Sequence, residues 1–187
     1  MPERPALADF FRLRLEPFAA RHVLHSARRA GNLGLDDTTV LACLLHDISV
    51  GGLMRSQPGH WSAQLIASYV SEEIAWAVRQ HEILRFFADP AMGYAYPDAY
   101  RTFFGPSYGP PEYVRRAYRE ARSHRWYGTA RLITVNDLYT FGEDPIDIDE
   151  FADVIGRHFR QPAEGLGFDG SPVAHIWRTI IWPNNFL

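Results

Sequence analysis

Residues 22–47, HVLHSARRAGNLGLDDTTVLACLLHD, decide how this chain is read. The stretch spans two helical segments separated by Gly31 and Gly34. Upstream, Pro17 suits a first helical turn, where the missing N–H is one the helix does not use. A helix is therefore expected from Pro17 through about Ala30, ended by the two glycines. Asp36 or Asp37 caps the next helix, and Val40, Leu41, Leu44, Leu45 and Ile48 fall on one apolar face at helical spacing. Gly51-Gly52 is expected to stop it. His22 and His46 are thus separated by one helix, a turn and most of an antiparallel helix, which brings them to neighbouring positions in a helical hairpin. Asp47 follows at once, so consecutive residues offer an imidazole nitrogen and a carboxylate, and a carboxylate can bridge two cations.

Working outward, His60 and His81 repeat the hairpin logic downstream. Ser71-Glu72-Glu73 opens the helix that carries Ile74, Ala77, Val78 and His81, its acidic residues facing the positive end of the helix dipole. Asp137 lies in the apolar helical run LITVNDL, where a carboxylate is costly unless paired or ligated. A single helical histidine is most often structural, and Asp47 alone could cap or pair locally. Six such residues in one order outweigh those readings. Four imidazoles and two carboxylates suit a pair of first-row transition metals better than Ca²⁺ or Mg²⁺, which prefer oxygen.

The bulk properties agree with a soluble globular enzyme. The chain has 187 residues, 47% hydrophobic and 22% charged, with a net charge of −3. That is one domain's worth of core. The charge balance gives no general basic surface for a nucleic-acid backbone, and Arg28-Arg29 and Arg115-Arg116 read as solvated helix faces. No apolar run approaches the ~20 residues that cross a bilayer, and the first residues do not form a signal peptide. The single cysteine, Cys43, cannot pair within the chain and reads as a small buried hydrophobe. A reducing cytoplasm is the expected compartment.

Residues 88 to 111 differ in composition, with Pro90, Pro97, Pro106, Pro110 and Pro111 among Tyr94, Tyr96, Tyr100, Phe103, Phe104 and Tyr108. The aromatics argue against disorder, so this stretch reads as a packed, lid-like insertion. Pro111 opens a further helix, and another runs from about His124 to Thr140. A C-terminal extension begins near residue 143, with a helix near 150–159 and a short one from Ser171-Pro172. Its end, RTIIWPNNFL, is apolar and aromatic, suited to docking on the body or to a homodimer contact. Trp126, Tyr127 and Tyr139 are expected to pack on the bundle, and His124, His158 and His175 to be structural.

The order H…HD…H…H…D on helices resembles the HD-domain superfamily of metal-dependent enzymes, over roughly residues 15 to 142. The resemblance implies an all-α bundle with a dinuclear metal site in its core. It assigns His22, His46 and Asp137 to one metal and His60, His81 and Asp47 to the other, Asp47 bridging. Having both intermediate histidines implies two metals, and the spacing is similar to that of the mixed-valent diiron oxygenases, which include myo-inositol oxygenase and a hydroxyalkylphosphonate-cleaving enzyme. The expected cofactor is then Fe(II)/Fe(III), with Mn or another divalent metal as the alternative. The substrates would be O₂ and a small polar, anionic, hydroxylated molecule. Arg85, in HEILR, matches a basic residue one turn after the fourth histidine of the phosphonate enzyme; a salt bridge to Glu82 or Asp89 is the plainer reading. His25 stands where those enzymes commonly carry Gln and could orient a ligand or substrate. The competing branch is a dinuclear phosphohydrolase acting on a nucleotide or phosphate ester. Many such hydrolases place a lysine shortly after His-Asp, whereas all 19 basic residues here are arginine. The oxygenases also use lysine at their substrate, so this chain departs from both.

Overall fold

The computed structural model describes residues 1–50, 57–137 and 142–183. Gly51-Gly52, Tyr139, Thr140 and the tail beyond Pro183 lie outside them. Among the described residues the chain is all-helical, with ten α-helices, two 3₁₀ turns and one isolated antiparallel bridge, Asp89 to Tyr94. The helices are α1 (Leu7–Leu13), α2 (Pro17–Asn32), α3 (Asp37–Leu45), α4 (Pro58–Ile66), α5 (Glu72–Leu84), α6 (Asp98–Phe104), α7 (Glu112–Arg122), α8 (Tyr127–Asn136), α9 (Ala152–His158) and α10 (Ala174–Ile181). None is long and apolar enough to cross a membrane.

The helix starts follow local chemistry. The Glu16 carboxylate accepts from the Ala19 amide ahead of Pro17, the Asp36 carboxylate from Thr39 at 2.7 Å, and the Ser71 hydroxyl from Ile74. Each satisfies a backbone donor that the first turn leaves without a carbonyl. Gly34, at φ +71°, takes the left-handed conformation that turns the chain between α2 and α3. The α2–α3 hairpin, the α4–α5 pair and α8 pack together, α5 lying against both α4 and α8. Val23, Ala27, Leu41, Leu44, Leu45, Ile66, Ile74, Val78 and Ile133 fill the space between them. Cys43 is fully buried in this core, and burial, aided by Asp137, pushes its thiol pKa up.

Two segments depart from the sequence reading. Residues 88–111 are not a loop throughout, because α6 forms between Pro97 and Gly105. Pro97 caps it in an extended conformation, Asp98 sits in its first turn, and Gly105 ends it at φ +86°. Its aromatics join Phe86 in one cluster: Phe104 stacks on Tyr108 at 4.6 Å, and Tyr100 lies 6.0 Å from Phe86. The C-terminal helix begins at Ala174, three residues beyond Ser171, and it docks on the body. Trp177 is fully buried, edge-on to Phe10 of α1 and donating from its indole N–H to the Leu65 carbonyl at 2.9 Å. Replacing Trp177 with Ala is expected to cost about 3–5 kcal/mol. A urea titration showing a loss below about 1 kcal/mol would mean that the C-terminal extension contributes little to the core.

Candidate metal centre

The α2–α3 hairpin, α5 and the end of α8 converge on one buried cluster. His22 comes from the middle of α2, and His46 and Asp47 directly follow α3. His81 lies in the last turn of α5, and Asp137 directly follows α8. All five are buried. Two sets of three ligand atoms lie within 4.8 Å of one another: His22, His46 and Asp137, and His46, Asp47 and His81. His46 belongs to both. Asp47 reaches across them, with Oδ1 3.4 Å from His81 Nε2 and Oδ2 3.7 Å from His22 Nε2. Asp137 Oδ1 stands 3.3 Å from His22 Nε2 and 3.8 Å from His46 Nε2.

The backbone orients two of these rings. His46 Nδ1 lies 2.7 Å from the Cys43 carbonyl and His81 Nδ1 2.6 Å from the Val78 carbonyl. An N–H is the only ring group that bonds a carbonyl, so each Nδ1 carries the proton and each Nε2 presents a lone pair to the cluster. Fixing a ligating imidazole through its other nitrogen is how proteins hold histidine at a metal. Gly59 permits the close packing at His81, since a Cβ there would stand 2.7 Å from His81 Cε1 and from the Val78 carbonyl oxygen.

The electrostatics follow from these distances. Burial raises the Asp47 and Asp137 pKa values, but His46, His22 and His81 outweigh it at Asp47. At Asp137, His22, His46 and Arg85 do the same, so both carboxyls fall below their ordinary range. At His22 burial is likewise the largest single influence, yet Asp137 and Asp47 together push its pKa up to about 10. Burial first, and then the neighbouring His22 and His81, hold His46 below its usual value.

Each of these donor sets could hold a metal ion. His22 Nε2 and His46 Nε2 are 3.0 Å apart and both stand within 3.8 Å of Asp137 Oδ1, so the three ligand atoms face one point. Asp47 Oδ1 is buried and accepts no hydrogen bond, a costly state for a carboxylate oxygen unless a cation answers it. No protein-family model matches this chain, and neither does any curated protein.

The remaining site residues from the sequence fall outside the two sets. His60, in the first turn of α4, is half-buried and edge-on to Trp61. It lines a cleft of about 620 Å³ together with Arg85, Phe86, Trp76 and His124. Gly59, rather than His60, is the residue of this turn that meets the His81 ring. His25 packs beside Gly142 and hydrogen-bonds the Asp144 backbone; burial, then Arg28 and Arg21, lower its pKa. Arg85 does reach the cluster. Its Nη2 is 3.1 Å from His81 Nε2 and 3.8 Å from Asp137 Oδ2, and its Nη1 donates to the Tyr100 hydroxyl at 3.2 Å. Asp89 stands 3.7 Å from Arg131, and Arg85 acts electrostatically on the Glu82 carboxyl.

Arg131 is the polar residue that the sequence reading passed over. It is fully buried, donating to the Leu84 carbonyl at 2.9 Å and to the Tyr127 hydroxyl at 3.2 Å, with Asp89 at 3.7 Å and the Tyr94 ring beside it. Tyr127 in turn donates to Asp89, and the Tyr94 hydroxyl donates to the Arg85 carbonyl at 2.9 Å. This network ties residues 85–94 to α8 and so fixes the backbone from which Arg85 reaches the cluster. An arginine amid the apolar residues of α8 was the available signal.

Proposed function

We propose that the protein is a dinuclear HD-type oxygenase that uses O₂ to oxidise or oxidatively cleave a small, polar, anionic hydroxylated substrate. The observation that carries this reading is the Asp47 carboxylate lying between buried histidines, with Oδ1 3.4 Å from His81 Nε2 and Oδ2 3.7 Å from His22 Nε2. His22, His46 and Asp137 would hold one iron. His81 and Asp47 would hold the other, with His60 at the cleft side of the same helical turn as Gly59. An Fe(II)/Fe(III) pair supplies one-electron chemistry with O₂ and a Lewis acid for a substrate hydroxyl.

The chain's own residues perform the rest. His46 and His81 keep their Nδ1 protons on backbone carbonyls, so neither ring turns away from the centre. Asp47 and Asp137 bring two negative charges that offset those of the cations. Arg85 presents a guanidinium between the cluster and the cleft, where an anionic group finds a fork of donors. Phe86, Tyr100, Phe104 and Tyr108 form an aromatic wall beside it.

Oxygen uptake tests this reading with hydroxylated phosphonates, polyols and related hydroxy acids, run beside hydrolysis of nucleotides and phosphate esters. Substrate-dependent O₂ consumption is the expected result. Phosphate release with no O₂ consumed would instead assign the same donor set to two-metal hydrolysis.

A further inference from the structure

His81 and His46 resemble each other at Nδ1 and differ at Nε2. The His46 nitrogen faces His22 Nε2 at 3.0 Å, whereas the His81 nitrogen lies 3.1 Å from a guanidinium donor of Arg85. In the neutral ring with its proton on Nδ1, Nε2 has one lone pair in the ring plane. It can accept from Arg85 or bind a cation, but not both. Resting on the two-cation reading, we propose that Arg85 and the second cation are alternatives at His81 Nε2, and that Arg85 leaves this nitrogen, and with it the Tyr100 hydroxyl, when the second cation enters.

The surroundings allow that exchange. The Arg85 backbone is pinned by Tyr94, so only the side chain has to move. It borders the 620 Å³ cleft, which gives the guanidinium space to swing. Tyr100 belongs to α6, which has no buried residue, so releasing its hydroxyl breaks little packing. The two donor sets are then unequal: His22, His46 and Asp137 fill first, and the His81 side fills only as Arg85 departs. Because linkage is reciprocal, whatever weakens the hold of Arg85 on the cluster tightens the second cation.

Equilibrium dialysis with Mn²⁺ on the full chain tests this, comparing wild type, Arg85→Met, Tyr100→Phe and the double variant. The second Mn²⁺ is expected to bind about tenfold or more tightly in Arg85→Met, since a hydrogen bond from a charged donor is removed, and roughly threefold more tightly in Tyr100→Phe. The double variant should bind it no more tightly than Arg85→Met, because both changes act through one side chain. Tyr100→Phe alters no charge, so it separates release of a latch from simple relief of electrostatic repulsion. It also decides the question alone if Arg85→Met fails to fold by circular dichroism. An unchanged or weaker second site in Arg85→Met, or a Tyr100→Phe indistinguishable from wild type, overturns the inference while leaving the two-cation reading intact. Binding of no Mn²⁺ by any of the four proteins overturns that reading and the inference with it.

Discussion

His46→Ala is expected to lose the cation held with His22 and Asp137, its affinity falling more than about a hundredfold. Removing even an outer partner of a metal ligand typically costs 10–100-fold, and His46 would itself be a ligand of this cation through Nε2, its Nδ1 being held by the Cys43 carbonyl. Its loss also leaves His22 Nε2 without the neighbour 3.0 Å away. His46 is fully buried, so the truncation opens a cavity as well, and folding has to be checked by circular dichroism beside the dialysis. A folded His46→Ala protein that retains two tightly bound cations would remove His46 from the centre.

Gly59→Ala is expected to disable the His81 side selectively. The added Cβ would stand 2.7 Å from the His81 ring and 2.7 Å from the Val78 carbonyl, the same carbonyl that holds the ring in place. One of these contacts is backbone, so relief requires α4 to move from α5 or the ring to turn. Overpacking of this kind costs about 1–3 kcal/mol. The denaturation midpoint should fall accordingly, and dialysis should show the second cation lost with the first retained. Unchanged stability together with two cations would mean that the α4 turn adjusts freely and does not position His81.

The legible and the hidden parts of this molecule divide along physical lines. The α2–α3 hairpin could be read because its signals are local: Pro17, the Asp36 cap, Gly34 and the apolar face of α3 all act within a few residues. The convergence of His22 with His46 follows from two helix lengths and one turn. Asp137 stood out because a carboxylate in an apolar helical run needs a partner. The position of His60 was harder. Its 21-residue distance from His81 fixes the hairpin but not which residue of the α4 turn meets the partner helix, and Gly59 takes that contact. Helix α6 was hidden by the prolines and glycines around it, although Pro97 and Gly105 are themselves its boundaries. The Arg131–Asp89–Tyr127 network joins α8 to a residue 38 positions upstream of Tyr127, and such a contact leaves no periodic trace along the chain.

The central claim is that two transition-metal ions share this His/Asp cluster and do redox chemistry there. Metal analysis with electron paramagnetic resonance, on protein purified with iron and partly reduced without oxygen, tests it most directly. Two irons per chain with a mixed-valent signal that candidate substrates perturb is the predicted result. A single metal, or two redox-silent ions with no mixed-valent signal, would contradict it.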